Sequence, residues 1–242
     1  MSEVAISLQE LTLGYDGNIA IEAVSGSFLT GSLTAVIGPN GSGKSTLMKG
    51  IAGILSPIAG SCHSKPGVRI AYLPQSSELD RNFPANVQDL VSLGLWQDRG
   101  LLKRHSGKDK MRISDALNSV GLKGFEDTPI NQLSGGQFQR ALFARVIVQD
   151  ASLILMDEPF NAIDAPTVEV LLSLIKTWHS DNRTVIVVIH DPMLVKQHFP
   201  ETIIVNGVLL AWGETSKVLQ DSHLPLPFCF HEELTSNKVA PE

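Results

Sequence analysis

Apolar and polar residues alternate along this chain with two different periods, and the changes of period mark its elements. Residues 5–8, 11–15 and 19–28, the last interspersed with Gly and Ser, carry strand-sized apolar runs and predict short antiparallel strands and turns. Residues 32–37 read as a buried strand that runs into a glycine-rich segment and then a helix over 44–52. A strand at 69–73 leads to Pro74 and Gln75, after which the pattern turns helical through 87–95 and 113–120, with a basic loop between. Strand patterns return at 153–156 and 184–189, separated by a helix over 166–178. That alternation predicts a parallel sheet with helices on its faces, an α/β fold. Asn206-Gly207, between apolar runs at 203–205 and 208–212, predicts a two-residue hairpin with positive φ at both turn positions.

Composition narrows the class. The 242 residues are 43% hydrophobic and 18% charged, which suits one globular domain with a smaller unit inserted rather than two large domains. No apolar run approaches the roughly 20 residues that span a bilayer; the strongest, 185–189, is strand-sized, so any membrane role would come through a partner. The first ten residues carry Glu3 and Glu10 and no basic stretch ahead of an apolar one, which predicts a cytoplasmic protein. Two cysteines, Cys62 and Cys229, predict free thiols, and Cys62-His63 and Cys229-Phe230-His231 lack the spacing of a zinc site. Acidic residues outnumber basic ones 25 to 19, and the net charge of −6 argues against nucleic acid as a partner. The basic cluster Arg99, Lys103, Arg104, His105, Lys108, Lys110 and Arg112 reads as a solvated loop.

The chemistry starts at Gly38-Pro39-Asn40-Gly41-Ser42-Gly43-Lys44-Ser45-Thr46, which fits G-x-x-x-x-G-K-[ST] between a predicted strand and a predicted helix. Glycines there let backbone N–H groups curl around phosphate oxygens, and the helix dipole adds positive potential. Lys44 is the candidate for the β and γ phosphates, Ser45 for a Mg²⁺ ligand and Thr46 for the α phosphate. The strand at 153–156 ends in Asp157-Glu158. An Asp at such a strand end binds Mg²⁺ directly or through water, and Glu158, one residue on, could orient and deprotonate an attacking water.

Leu133-Ser134-Gly135-Gly136-Gln137 is the most specific feature, recurring by chance in roughly one chain in several thousand at average composition. Ser134 and Gln137 also have the spacing of a helix capping box. The two readings are compatible, because a capped helix start behind two glycines is an anion site.

With these motifs in this order, nearly the whole chain resembles the ATP-binding cassette family. The resemblance implies a P-loop NTPase (RecA-like) core with a small antiparallel β region over residues 1–75 and 151–221. It also implies an inserted helical subdomain over 76–150 and a short tail over 222–242, all within one domain, 1–242. It implies that Tyr15 stacks on adenine and that Gln75 touches Mg²⁺ and the attacking water. It implies that Asn161-Ala162-Ile163-Asp164 forms the loop crossing to a second subunit, and that His190 contacts the γ phosphate. That loop departs from the family's common Ser-Ala-Leu-Asp at Asn161 and Ile163, and retains Asp164. Two such chains would sandwich ATP head to tail, with Lys44, Ser45, Gln75, Asp157, Glu158 and His190 of one facing Ser134, Gly135 and Gly136 of the other. The resemblance thus implies an ATPase with ATP and Mg²⁺ that closes as a homodimer.

The stretch from Ser76 to Gly94, with its Phe83-Pro84 pair, resembles the branch of the family that serves zinc, manganese or iron uptake. The region would form the groove for a membrane permease, near Gln75 to Pro84. The chain would then sit at the inner face of the cytoplasmic membrane, with a periplasmic or surface solute-binding protein acting indirectly. An importer ATPase for haem, a siderophore or an amino acid shares every catalytic motif. A cassette ATPase acting on nucleic acid, or a nucleotide-binding regulator without turnover, fits less well, given the negative charge and the presence of both Glu158 and His190.

Overall fold

The computed structural model describes residues 3–100 and 106–220. Cys229-Phe230-His231, the tail from 222 and Lys103, Arg104 and His105 of the basic cluster lie outside them. The chain opens with β1 (Val4–Tyr15) and β2 (Asn18–Leu29), followed by β3 (Leu33–Ile37), α1 (Lys44–Ile51), β4 (Ala59–Ser64) and β5 (Ile70–Leu73). Four helices come next: α2 (Val87–Ser92), α3 (Trp96–Arg99), α4 (Gly107–Ser119) and α5 (Gly135–Gln149). The chain returns through β6 (Leu153–Asp157), α6 (Ala165–Ser180), β7 (Thr184–Val188), α7 (Pro192–His198), β8 (Glu201–Val205), β9 (Leu209–Glu214) and α8 (Thr215–Val218). The main sheet has order β5-β6-β7-β3-β8-β9, parallel except for the antiparallel β9, and a smaller antiparallel sheet has order β2-β1-β4.

Every residue of β3, β6 and β7 is buried, as expected of strands covered on both faces. Successive side chains alternate between two separate cores. Leu33, Ala35, Ile37, Ile154, Met156, Val185 and Val187 join the core beneath α5 and α6. Val36, Leu153, Leu155, Ile186 and Val188 join the core that includes α1 and the antiparallel sheet. Full burial of one such side chain contributes about 1.5–3 kcal/mol, so a one-residue register slip, which would exchange the two sets, is strongly disfavoured. The edge strand β5 is covered by α5: Arg145 donates to the Tyr72 carbonyl at 3.1 Å and Gln149 to that of Ile70 at 3.0 Å.

Several boundaries differ from the sequence expectation for identifiable reasons. The runs at 5–8 and 11–15 are one strand, carried past an irregularity where Glu10 sits at φ 47°, and β2 passes a similar one at Ala23, φ 50°. The run at 87–95 ends as α-helix at Ser92 and tightens into a 3-10 turn over Leu93–Leu95. Helix α4 begins at Gly107, not 113, because Ser106 and Asp109 form a reciprocal capping box. In the β8–β9 turn Gly207 has φ 71°, but Asn206 does not share the positive φ expected of it.

Candidate functional site

Strand β3 delivers the chain into a loop that wraps the N-terminus of α1. Gly43, the residue before the helix, has φ 93° and ψ 7°. A Cβ there would lie 2.6 Å from the Ala20 carbonyl oxygen, so both the conformation and the space require glycine. A Cβ on Gly38 would fall 2.1 Å from the Val205 carbonyl oxygen. The β8–β9 turn supports the loop from its other side, where the Gly207 N–H donates to the Ser42 carbonyl at 3.0 Å and the Glu22 N–H donates to the Gly207 carbonyl at 2.8 Å. Lys44 is buried at 5% exposure, and its ammonium donates to the carbonyls of Gly38 (3.0 Å) and Pro39 (2.8 Å). Burial pushes its pKa down, against the opposing pull of Glu158 and Asp157.

A cavity of about 600 Å³ opens above this loop, lined by Ala20, Asn40, Gly41, Ser42, Gly43, Lys44, Ser45, Thr46, Gln75, Glu158, Asn161 and His190. Strand β6 ends in Asp157 and delivers Glu158, which lines the cavity. Asp157 is 1% exposed, and neither carboxylate oxygen has a hydrogen-bond partner. Burial pushes this carboxyl above its ordinary range; the Ser45 hydroxyl stands outside hydrogen-bond geometry yet near enough to favour the ionised form, while Glu158 and Glu78 oppose ionisation. A buried carboxylate with free lone pairs beside a hydroxyl is a pair of hard oxygen donors that could hold a divalent cation. Among the described residues no group of three or more His, Cys, Asp or Glu could hold a metal by itself.

Glu158 is the hub. It sits in the left-handed region, φ 50°, immediately after β6. Its Oε2 accepts from Gln75 Nε2 at 2.7 Å and from Asn161 Nδ2 at 3.2 Å, while Oε1 meets His190 Nε2 at 2.6 Å. Gln75 follows β5 and His190 follows β7, so three parallel strands converge on one carboxylate at their C-terminal ends, where ligands bind in open α/β sheets. The Asn161 contact was not legible in the sequence, which marked that position only as a departure from a family pattern. The supporting Gly207 was legible as a turn and not as a prop for the phosphate loop.

The second motif stands apart. Ser134 caps α5, accepting from the Gln137 N–H at 3.2 Å while Gln137 Oε1 accepts from the Ser134 N–H at 2.9 Å. Ser134 and Gly135 are exposed, Gly136 and Gln137 partly so, and none of the four lines the phosphate cavity. Asp164 caps α6 through the Thr167 N–H (3.1 Å) and hydroxyl (3.0 Å), and those bonds hold its carboxyl below the usual carboxylate range. Tyr15 ends β1, is 46% exposed and does not line the cavity.

A strand, a glycine loop on a helix N-terminus and two acids at the C-terminal end of a second parallel strand, separated from the first by β7, define a P-loop nucleoside triphosphatase. A family model described as ABC transporter matches residues 21–161. The manganese transport system ATP-binding protein MntB of Listeria innocua is 37% identical over 229 residues, covering 92% of this chain and 95% of that one. The zinc transport system ATP-binding protein TroB of Treponema pallidum is 37% identical over 226 residues, covering 91% and 85%. Among solved structures, an inward-facing ABC transporter described as metal-chelate type superposes with a TM-score of 0.80 at 30% identity, covering 90% of this chain and 86% of that one. The chain belongs to the ABC transporter family and is one of its ATPases. Among the described residues no helix is long and apolar enough to cross a membrane.

Proposed function

We propose that this chain is the ATP-hydrolysing subunit of an importer for a transition metal, zinc or manganese, and that ATP-dependent closure of two copies drives a separate membrane permease. The observation that carries the reading is the division of the nucleotide machinery between two places on one chain. The phosphate loop and the Glu158 hub share a cavity, with the buried Asp157 next to Glu158 in the chain, whereas Ser134, Gly135 and Gly136 stand outside it on an exposed helix start. Head-to-tail pairing would bring the second set onto the ATP of the first. The relatives that carry manganese and zinc in their names support the choice of cargo.

In this reading Lys44 leaves the carbonyls of Gly38 and Pro39 for the phosphates, and backbone N–H groups of Gly41 to Ser45 hold their oxygens. Asp157, with Ser45, and Gln75 nearby, would hold Mg²⁺, which when bound neutralises phosphate charge. Glu158 takes the proton of the attacking water, with Gln75, His190 and Asn161 fixing its orientation. The first-turn N–H groups of α5 in the partner cassette stabilise the γ phosphate, so hydrolysis removes the bridge between subunits. Residues 76–150 act as the helical unit that carries this second motif.

The permease would dock on a cavity of about 280 Å³ whose walls include Leu79, Phe83, Leu90 and Leu93, with Asp80 and Asp89 also lining it. Phe83 is 63% exposed and Leu93 51%, an apolar surface suited to a short amphipathic helix. That attachment would hold the chain at the cytoplasmic face of the membrane, with a solute-binding protein acting beyond it. The similarity to a metal-chelate type transporter favours a second reading, import of a chelated metal.

The test is total cellular zinc, manganese and iron under metal starvation, in cells lacking the gene and complemented with the wild type or Lys44→Ala. Loss of one metal restored by the wild type alone supports the proposal. Unchanged metals with normal ATP hydrolysis would reject the cargo and leave the ATPase.

A further inference from the structure

The seven residues from Gln75 to Arg81 touch all three parts of the nucleotide machinery within one chain. Gln75 donates to the hub carboxylate of Glu158. Glu78 pairs with Lys49 of α1 at 2.8 Å, across a site where both side chains are partly exposed. Arg81 reaches the opposite way: its guanidinium donates to the carbonyl of Leu133 and lies over the ring of Phe138, 4.9 Å from the centroid.

Those two contacts fall on defined positions of α5. With Ser134 as the capping residue, Leu133 precedes the cap and Phe138 is the fourth helical residue, the two positions of a hydrophobic staple, which fixes the angle at which a chain enters its helix. Both are buried, at 4% and 2% exposure. Arg81 therefore grips the staple from outside at both of its ends. A planar cation that donates through its edge and stacks through its face can do both at once, which lysine cannot. Gly135 and Gly136 follow the cap directly, so the angle at which the chain enters the helix sets the direction of their N–H groups.

We propose that Arg81 is a positioning residue that locks the Ser134-Gly135-Gly136 motif in register with the Gln75 segment. The ATP site served by the partner cassette then depends on Arg81 of the chain that supplies the motif. The inference rests on the reading that two copies sandwich ATP. It adds that the apolar cavity beside Phe83, which Phe138 also lines, transmits to both half-sites through one short segment.

The experiment measures ATP binding by the isolated chain and ATP-driven dimerisation, by sedimentation, in the Glu158→Gln background. If Glu158→Gln alone forms no ATP-dependent dimer, the sandwich reading fails and the inference with it. If it dimerises, adding Arg81→Ala should weaken dimerisation at least about tenfold while nucleotide affinity of the monomer stays within about twofold, the size expected for losing one charge-assisted hydrogen bond. Arg81→Lys, which keeps charge and donor but not the stacking fork, should recover part of the loss. Dimerisation unchanged by Arg81→Ala overturns the proposal. So does a parallel fall in monomer nucleotide affinity and thermal stability, which would make Arg81 a general prop of the fold.

Discussion

Gly38 and Gly43 of the phosphate loop and Gly135 of the Ser134 motif do opposite things for their own chain. A Cβ on Gly38 or Gly43 would collide with backbone carbonyl oxygens at 2.1 and 2.6 Å, so those glycines are required for the loop to close on its own strands. A Cβ on Gly135 would meet nothing nearer than the Ala162 carbonyl oxygen at 3.7 Å, an ordinary contact, and Gly135 has no positive φ to relieve. Gly135 is the first residue of α5, a position that alanine occupies without strain. Nothing within the chain accounts for glycine at 135, which points to an approach from outside it.

The comparison breaks first at the chemistry. Glu158→Gln keeps the size of the hub side chain and removes the proposed base, so turnover should fall by about 10²–10⁴-fold while ATP binding survives. Measured hydrolysis within tenfold of the wild type would remove Glu158 from that role. A smaller effect separates the glycines themselves. Gly43→Ala should cost the free chain nucleotide affinity, by about tenfold or more, together with thermal stability, because φ 93° and the Ala20 carbonyl both oppose a side chain. Gly135→Ala should leave the free chain's stability and nucleotide affinity near the wild type and lose only ATP-driven dimerisation. Equal damage to the free chain from both substitutions would erase the distinction.

What was legible in the sequence divides along similar lines. The phosphate loop and the Asp157-Glu158 strand end are encoded locally, by glycine placement and an apolar run, and the α/β order follows from strand and helix periods that burial enforces. The convergence on Glu158 is only partly local: Asn161 stands three residues on, but Gln75 and His190 arrive from separate segments, and only the sheet order β5-β6-β7 brings them to it. Strand β4 and helix α7 escaped the pattern because one is a half-exposed edge strand and the other spans seven residues. Arg81 was unreadable because a lone arginine carries no spacing signal and its partners lie over fifty residues away.

The smallest effect concerns Asp157, where function and stability oppose each other. Its carboxyl is buried without a hydrogen-bond partner, and its pKa is raised, mainly by that burial. Between the unfolded value and the raised one, the native state binds more protons than the unfolded chain, so stability falls as pH rises through that window and the deficit is complete above it. Asp157→Asn replaces the charge with a neutral amide of the same shape. In chelator-treated, nucleotide-free protein it should therefore raise stability at neutral pH by about 1 kcal/mol, a melting shift of about 2–4 °C for a chain of this size. The gain should shrink as pH falls through the raised pKa, where the wild-type carboxyl takes up its own proton. With Mg²⁺ and ATP present the proposed role of Asp157 predicts the reverse order, because a carboxylate that holds the cation is stabilised by it and the amide binds it poorly. A variant that melts lower than the wild type at neutral pH without ligands would show that Asp157 is held by contacts within the fold rather than kept free for a ligand.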